Sequence, residues 1–176
     1  MDSLLPQAYL IGLVVLLVGA AVVVTRQILR VRRDELTLSR LDGKADGGGR
    51  DASTLYELAS VQLRKRLYGQ ALDNLKQAAK RAEADGEPAE ARALIQNALG
   101  FSMAAQTNYK TAIRHYRLAL EAKPDYPVAL NNLAFALEKQ QKPEEARDLY
   151  ERVLVLDASN STAKKRLKLL ERKARV

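Results

Sequence analysis

The chain has 176 residues with 47% hydrophobic content, room for one globular domain plus one further element and not for two domains with separate cores. It holds no Cys and one His, which excludes disulfide scaffolds, thiolate nucleophiles, iron–sulfur clusters and imidazole-rich metal sites. With 29 Lys and Arg against 21 Asp and Glu the net charge is +8, an argument for an anionic partner whose nature depends on where the charge sits.

The first predicted element runs from Ser3 to Thr25, 23 residues without a charge, in which every residue from Leu10 to Val24 is aliphatic or Gly. A helix of that length reaches roughly 35 Å, enough for a hydrocarbon core of about 30 Å. A cleaved secretory signal would need a cationic lead, and only Asp2 precedes the apolar run, so an uncleaved span is expected. Arg26, Arg30, Arg32 and Arg33 follow within nine residues, which places the C-terminal side in the cytoplasm or its organellar equivalent. Residues 26–41 hold good helix formers without Gly or Pro and predict a basic juxtamembrane helix. Residues 42–51, with four glycines, predict a flexible linker. Gly43-Lys44 lacks the Gly spacing and the Ser or Thr of a phosphate loop.

From Ala52 onward Gly and Pro fall at boundaries and helix formers dominate. Superposing Tyr68-Gly-Gln-Ala71, Tyr109-Lys-Thr-Ala112 and Pro143-Glu-Glu-Ala146 brings out a 34-residue unit, spanning 52–85, 93–126 and 127–160. Leu58-Ala59, Leu99-Gly100 and Leu133-Ala134 stand at the same place in each unit, as do Leu75, Tyr116 and Tyr150. Small residues let the two helices of a hairpin approach, and the large ones fill the space beside them. Gln62 departs from this pattern by standing where a large apolar residue is usual, and seven extra residues around Ala84–Ala91 predict longer helices on either side of that turn. Residues 161–176 predict a basic helix that caps the stack.

Residues 52–160 on these motifs resemble three tetratricopeptide repeats. The expected fold class is therefore all-α: one N-terminal transmembrane helix, then a solenoid of three helix hairpins and a C-terminal capping helix. The resemblance implies a groove lined by the first helix of each unit, which points to Tyr56, Arg64, Asn97, Phe101, Asn131, Asn132 and Phe135. Phe101 and Phe135 occupy the same position of successive units and would stand one above the other, flanked by amides able to bond a ligand backbone. Relatives that clamp the terminal carboxylate of chaperone tails need cations in the groove, and the corresponding positions here do not supply them.

Segment by segment, the charge is −1 for residues 1–25, +3 for 26–50, zero for 51–160 and +6 for 161–176. A nucleic-acid partner would need the basic stripe along the domain with aromatics interleaved, and that pattern is missing. The terminal cluster of Lys164, Lys165, Arg166, Lys168, Arg172 and Lys173 reads as a solvated capping face or as a docking face for an acidic surface. His115 lies between Arg114 and Tyr116 without a nucleophile motif, so a surface histidine is expected, and no active site, cofactor, metal or small-molecule substrate.

The order of parts, with the lead MDSLLPQAYL, the span ending VVVTRQILRVRRDE and three repeats in under 180 residues, resembles the membrane-anchored tetratricopeptide factors of cyanobacteria and plastids that serve photosystem I assembly. That resemblance implies a single-pass thylakoid protein with its repeats on the cytoplasmic or stromal side. It implies photosystem I subunits or other assembly factors as partners, with lipid contacted through the span. A general membrane-anchored adaptor for another complex shares the same sequence features.

Overall fold

The computed structural model describes residues 4–43 and 51–174, and every regular element among them is an α-helix. Two units result, residues 1–47 and 48–176. The first is one helix, α1, Leu4–Gly43. Its stretch Ala8–Thr37 is long and apolar enough to cross a membrane, and its aliphatic side chains are exposed on every side, from Leu10 and Val15 to Val23 and Leu29. Apolar surface around the whole circumference belongs in lipid or under a covering protein layer. The helix runs unbroken through Arg26–Gly43, so Asp42 and Gly43 are helical rather than part of the linker; residues 44–50 of that linker lie outside the described residues.

The second unit stacks seven helices: α2 (Ala52–Arg64), α3 (Tyr68–Ala84), α4 (Ala89–Ala105), α5 (Tyr109–Ala122), α6 (Pro127–Lys139), α7 (Pro143–Leu156) and α8 (Ser161–Ala174). Starts are set by local chemistry. Asp51 Oδ1 accepts from the Thr54 amide at 2.7 Å, Asn108 Oδ1 from Thr111 at 3.2 Å, and Pro127 and Pro143 open α6 and α7. The turn inside each hairpin places one non-glycine residue in the left-handed region, Arg66, Thr107 and Gln141, at φ 61°, 62° and 60°. There the amides of Leu67, Asn108 and Lys142 return to the carbonyls of Gln62, Met103 and Leu137, closing each first helix with a Schellman turn. The seven extra residues fall between α3 and α4, which have 17 residues each against 13 or 14 elsewhere in this unit. Gly86, at φ 65°, ends α3, and α4 begins at Ala89, four residues ahead of the expected unit boundary.

Packing follows the small-residue pattern. Ala59, Ala71, Ala112, Ala134 and Ala146 are fully buried, and Leu75, Tyr116 and Tyr150 fill the space beside them. At Gly100 the approach is closest: a Cβ there would lie 2.5 Å from Cε1 of Tyr116. The buried apolar side chains form two blocks, one from α2, α3 and α4 as far as Leu99, the other from α5 to α8. The departure at Gln62 has a partner, since Asn74 donates to its Oε1 at 2.9 Å across the first hairpin. A buried polar pair of this kind replaces the usual apolar contact without an unmet hydrogen bond.

Candidate protein-binding groove

Helix α4 touches α2 and α6 as well as its chain neighbours α3 and α5. The first helices of the hairpins therefore converge on the inner wall of the stack, and the second helices lie outside. This convergence is what presents positions of α2, α4 and α6 side by side.

At the α2 end, Tyr56, Glu57, Ser53 and Glu87 join Leu94 and Ile95 around a recess of about 340 Å³. Next comes a polar ladder. Asn132 donates to Asn97 Oδ1 at 3.0 Å, and the Tyr126 hydroxyl lies close to the Asn97 side chain and to Tyr56. Burial raises the Tyr126 pKa, with a smaller contribution from Tyr56, and the nearby Asn97 side chain opposes it. Asn131 donates to Asn160 Oδ1 at 3.2 Å, in the corner before α8, and leaves its own Oδ1 buried without a partner. The groove amides are thus paired largely with one another and with the α8 corner. The cause is the close spacing of α4 and α6, which brings two amides within bonding distance before any ligand arrives.

The two phenylalanines part company. Phe101 is 43% exposed. Phe135 is half-buried, edge-on to Tyr109 at 6.4 Å between ring centres, with Arg166 4.6 Å and Lys139 5.4 Å from its ring. Arg166 also pairs with Glu138 at 3.6 Å, and Glu138 accepts from the Tyr150 hydroxyl at 2.7 Å. Burial, then the bond to Glu138, holds the Tyr150 pKa far above the ordinary tyrosine range, so it serves as a neutral donor. Arg166 therefore belongs to the inner wall and not to a solvated face. Lys164, Lys165, Lys168, Arg172 and Lys173 are exposed, as is Arg64, whose guanidinium reaches the Ser60 carbonyl at 3.3 Å. In α1, Arg26, Arg32 and Arg33 are exposed; the Arg30 side chain lies outside the described residues.

His115 is not a free surface group. Its Nδ1 lies 2.9 Å from Gln96 Oε1 on α4, and burial, then Arg114, lowers its pKa. Its position on the seam between α4 and α5 explains the difference. Tyr126 and Tyr109 were not among the expected groove residues. Tyr126 sits just before Pro127 in a connector, outside the first helices of the repeats, and Tyr109 enters from α5.

A tetratricopeptide-repeat model matches residues 103–168. The uncharacterized protein ycf37 of Guillardia theta is 33% identical over 170 residues, covering 97% of this chain and 94% of its own. The chain belongs to the ycf37 family of tetratricopeptide-repeat proteins. A further relative of this ycf37-family chain is the chloroplastic tetratricopeptide repeat domain-containing protein PYG7 of Arabidopsis thaliana, 32% identical over 159 residues; the match takes in 90% of this chain and 52% of PYG7. Among solved structures, the first tetratricopeptide domain of Spaghetti (RPAP3), bound to the HSP90 peptide SRMEEVD, has a TM-score of 0.64 at 22% identity, over 71% of this chain and 94% of that one. At that identity the likeness concerns the fold alone. The matches point to a protein-interaction scaffold, and no catalytic family is indicated.

Proposed function

We propose that this ycf37-family protein is a membrane-tethered, non-enzymatic scaffold that assists assembly or stabilisation of photosystem I by holding subunits or assembly partners in its repeat groove. The observation that carries the reading is the extent of the likeness to ycf37 proteins: it takes in α1 as well as the repeats, so the apolar helix and the solenoid belong to one inherited arrangement. A chloroplastic relative supports a photosynthetic membrane, the thylakoid. The arginines after the apolar stretch favour repeats on the cytoplasmic or stromal side. In this arrangement α1 confines the search for a client to the membrane surface, and the inner wall supplies the contacts, with Phe101 as the exposed apolar anchor.

Affinity capture from detergent-solubilised membranes tests the proposal. Photosystem I subunits or their assembly partners are expected with the parent chain and are expected to be lost with Phe101→Ala. Phe135→Ala is the poorer probe, because that ring also supports α8 through Arg166. Recovery of secretion or envelope components alone would refute the photosystem assignment, and undiminished capture by Phe101→Ala would refute the groove as the binding surface. For topology, protease added on the cytoplasmic or stromal side should digest the repeats, and release of the intact chain by alkaline carbonate would refute the span.

A further inference from the structure

We propose that the α6–α8 end of the groove binds an acidic linear segment of the partner, with α8 serving as a fourth wall of the groove. The proposal rests on the groove reading above and names the chemistry of what the groove holds. Arg166 reaches from α8 onto the face of Phe135 and onto Glu138, which fixes one flank of α8 against the inner wall. Lys139 stands over the same ring, and Lys173 lines a recess of about 250 Å³ together with Glu138 and Leu170. Nearby carboxylates are already engaged: Glu138 by Arg166 and Tyr150, and Glu144 by Arg147 at 3.5 Å. Among the described residues, Lys139 and Lys173 have no carboxylate within ion-pair distance. Leu169, 37% exposed, adds an apolar contact on α8. The opposite end of the wall carries Glu57 and Glu87 around its recess. Two cations without a carboxylate partner, beside an aromatic ring and an exposed leucine, suit an acidic segment at the α6–α8 end.

A lipid surface fits less well. The apolar side of α8 is spent inside the solenoid, with Ala163 and Leu170 buried and Leu167 packed on the core, so little remains to insert among acyl chains. A recessed wall also suits an extended chain better than a flat bilayer.

The test uses the full chain in neutral detergent and a fluorescent peptide of alternating Glu, Ser and Leu, compared with its counterpart carrying Gln for every Glu. The acidic peptide should bind more tightly, with a salt-dependent difference. Lys139→Gln with Lys173→Gln should weaken it about fivefold, the scale of two exposed ion pairs. Arg166 is left in place because its loss would strand Glu138. The control removes equal charge from the far flank of α8: Lys164 and Lys168 each stand two residues from Arg166, about 200° round the helix, and their change to Gln should leave affinity within about twofold. Equal losses in both double variants, or no preference for the acidic peptide, would overturn the proposal. So would weakened binding to vesicles of equal phosphatidylglycerol and phosphatidylcholine with the peptide unaffected, which would assign the cations to lipid. Client capture run in parallel separates the two levels. Capture lost with Phe101→Ala and kept without Lys139 and Lys173 refutes the acidic segment and leaves the groove standing; capture kept in every variant refutes the groove reading itself.

Discussion

Replacing Gly100 by Ala adds one methyl group at the tightest point of the α4–α5 hairpin. Its Cβ would lie 2.5, 2.6 and 3.0 Å from Cε1, Cδ1 and Cζ of Tyr116, whereas carbon atoms rest at about 3.5–4 Å. The ring would have to retreat by about 1 Å, and it is only 1% exposed, with packed neighbours on all sides. Forcing a methyl group into such a site costs about 1–3 kcal/mol. Ala also favours helix over Gly by about 1 kcal/mol, so the net loss should be up to about 2 kcal/mol and the melting temperature should fall by up to about 8 °C. Gly69, in the first turn of α3, provides the contrast: a Cβ there meets nothing within 4 Å, so Gly69→Ala should gain up to about 1 kcal/mol. Thermal unfolding followed by circular dichroism measures both. A Tyr116→Leu change in the Gly100→Ala background should recover part of the loss, as a double-mutant cycle would show. If Gly100→Ala melts at or above the parent temperature, the close approach is not what that glycine provides.

Three other outcomes follow from the same structure. Asn160 Oδ1 accepts both the Ala163 amide at 3.1 Å and Asn131 Nδ2 at 3.2 Å, so Asn160→Ala should cost about 1–2 kcal/mol and speed amide exchange in α8 ahead of the other helices. Thr107→Gly relieves a β-branched residue at φ 62° and should gain about 0.5–1 kcal/mol in chemical denaturation after the entropy cost of Gly. The folded chain holds the His115 pKa below its ordinary 6.5, so the unfolded chain binds the extra proton first as pH falls; the contribution is complete above about pH 6.5 and is lost on acidification. Stability measured at several pH values should show His115→Gln losing less than the parent below that point, and parallel curves would refute the assignment.

Where packing depends on residue size at a fixed interval, the sequence was readable. The 34-residue recurrence aligned Gly100 with Ala59 and Ala134, and Tyr116 with Leu75 and Tyr150, and those residues meet in the seams. The hairpin turns were harder to read because Arg66, Thr107 and Gln141 hold left-handed backbone without the glycine that usually announces it. Gln62 stood out as an anomaly, but its partner Asn74 is twelve residues away on another helix, and only the packing of α2 on α3 brings them together. The groove positions followed from their place in each unit. What their side chains do depends on helix spacing, and so the mutual pairing of Asn97 with Asn132 and the folding of Arg166 onto Phe135 were not legible.

The two apolar blocks meet within α4: Leu99 belongs to the first, Met103 and Ala104 lie against the second, and Gly100 stands between them. A ligand laid along the inner wall from Leu94 to Arg166 would touch both blocks. Occupancy would then act as a splint across the joint and raise the cohesion of the stack by mass action. By reciprocity, a change that loosens the Gly100–Tyr116 seam would weaken the hold on a client without removing a single contact to it.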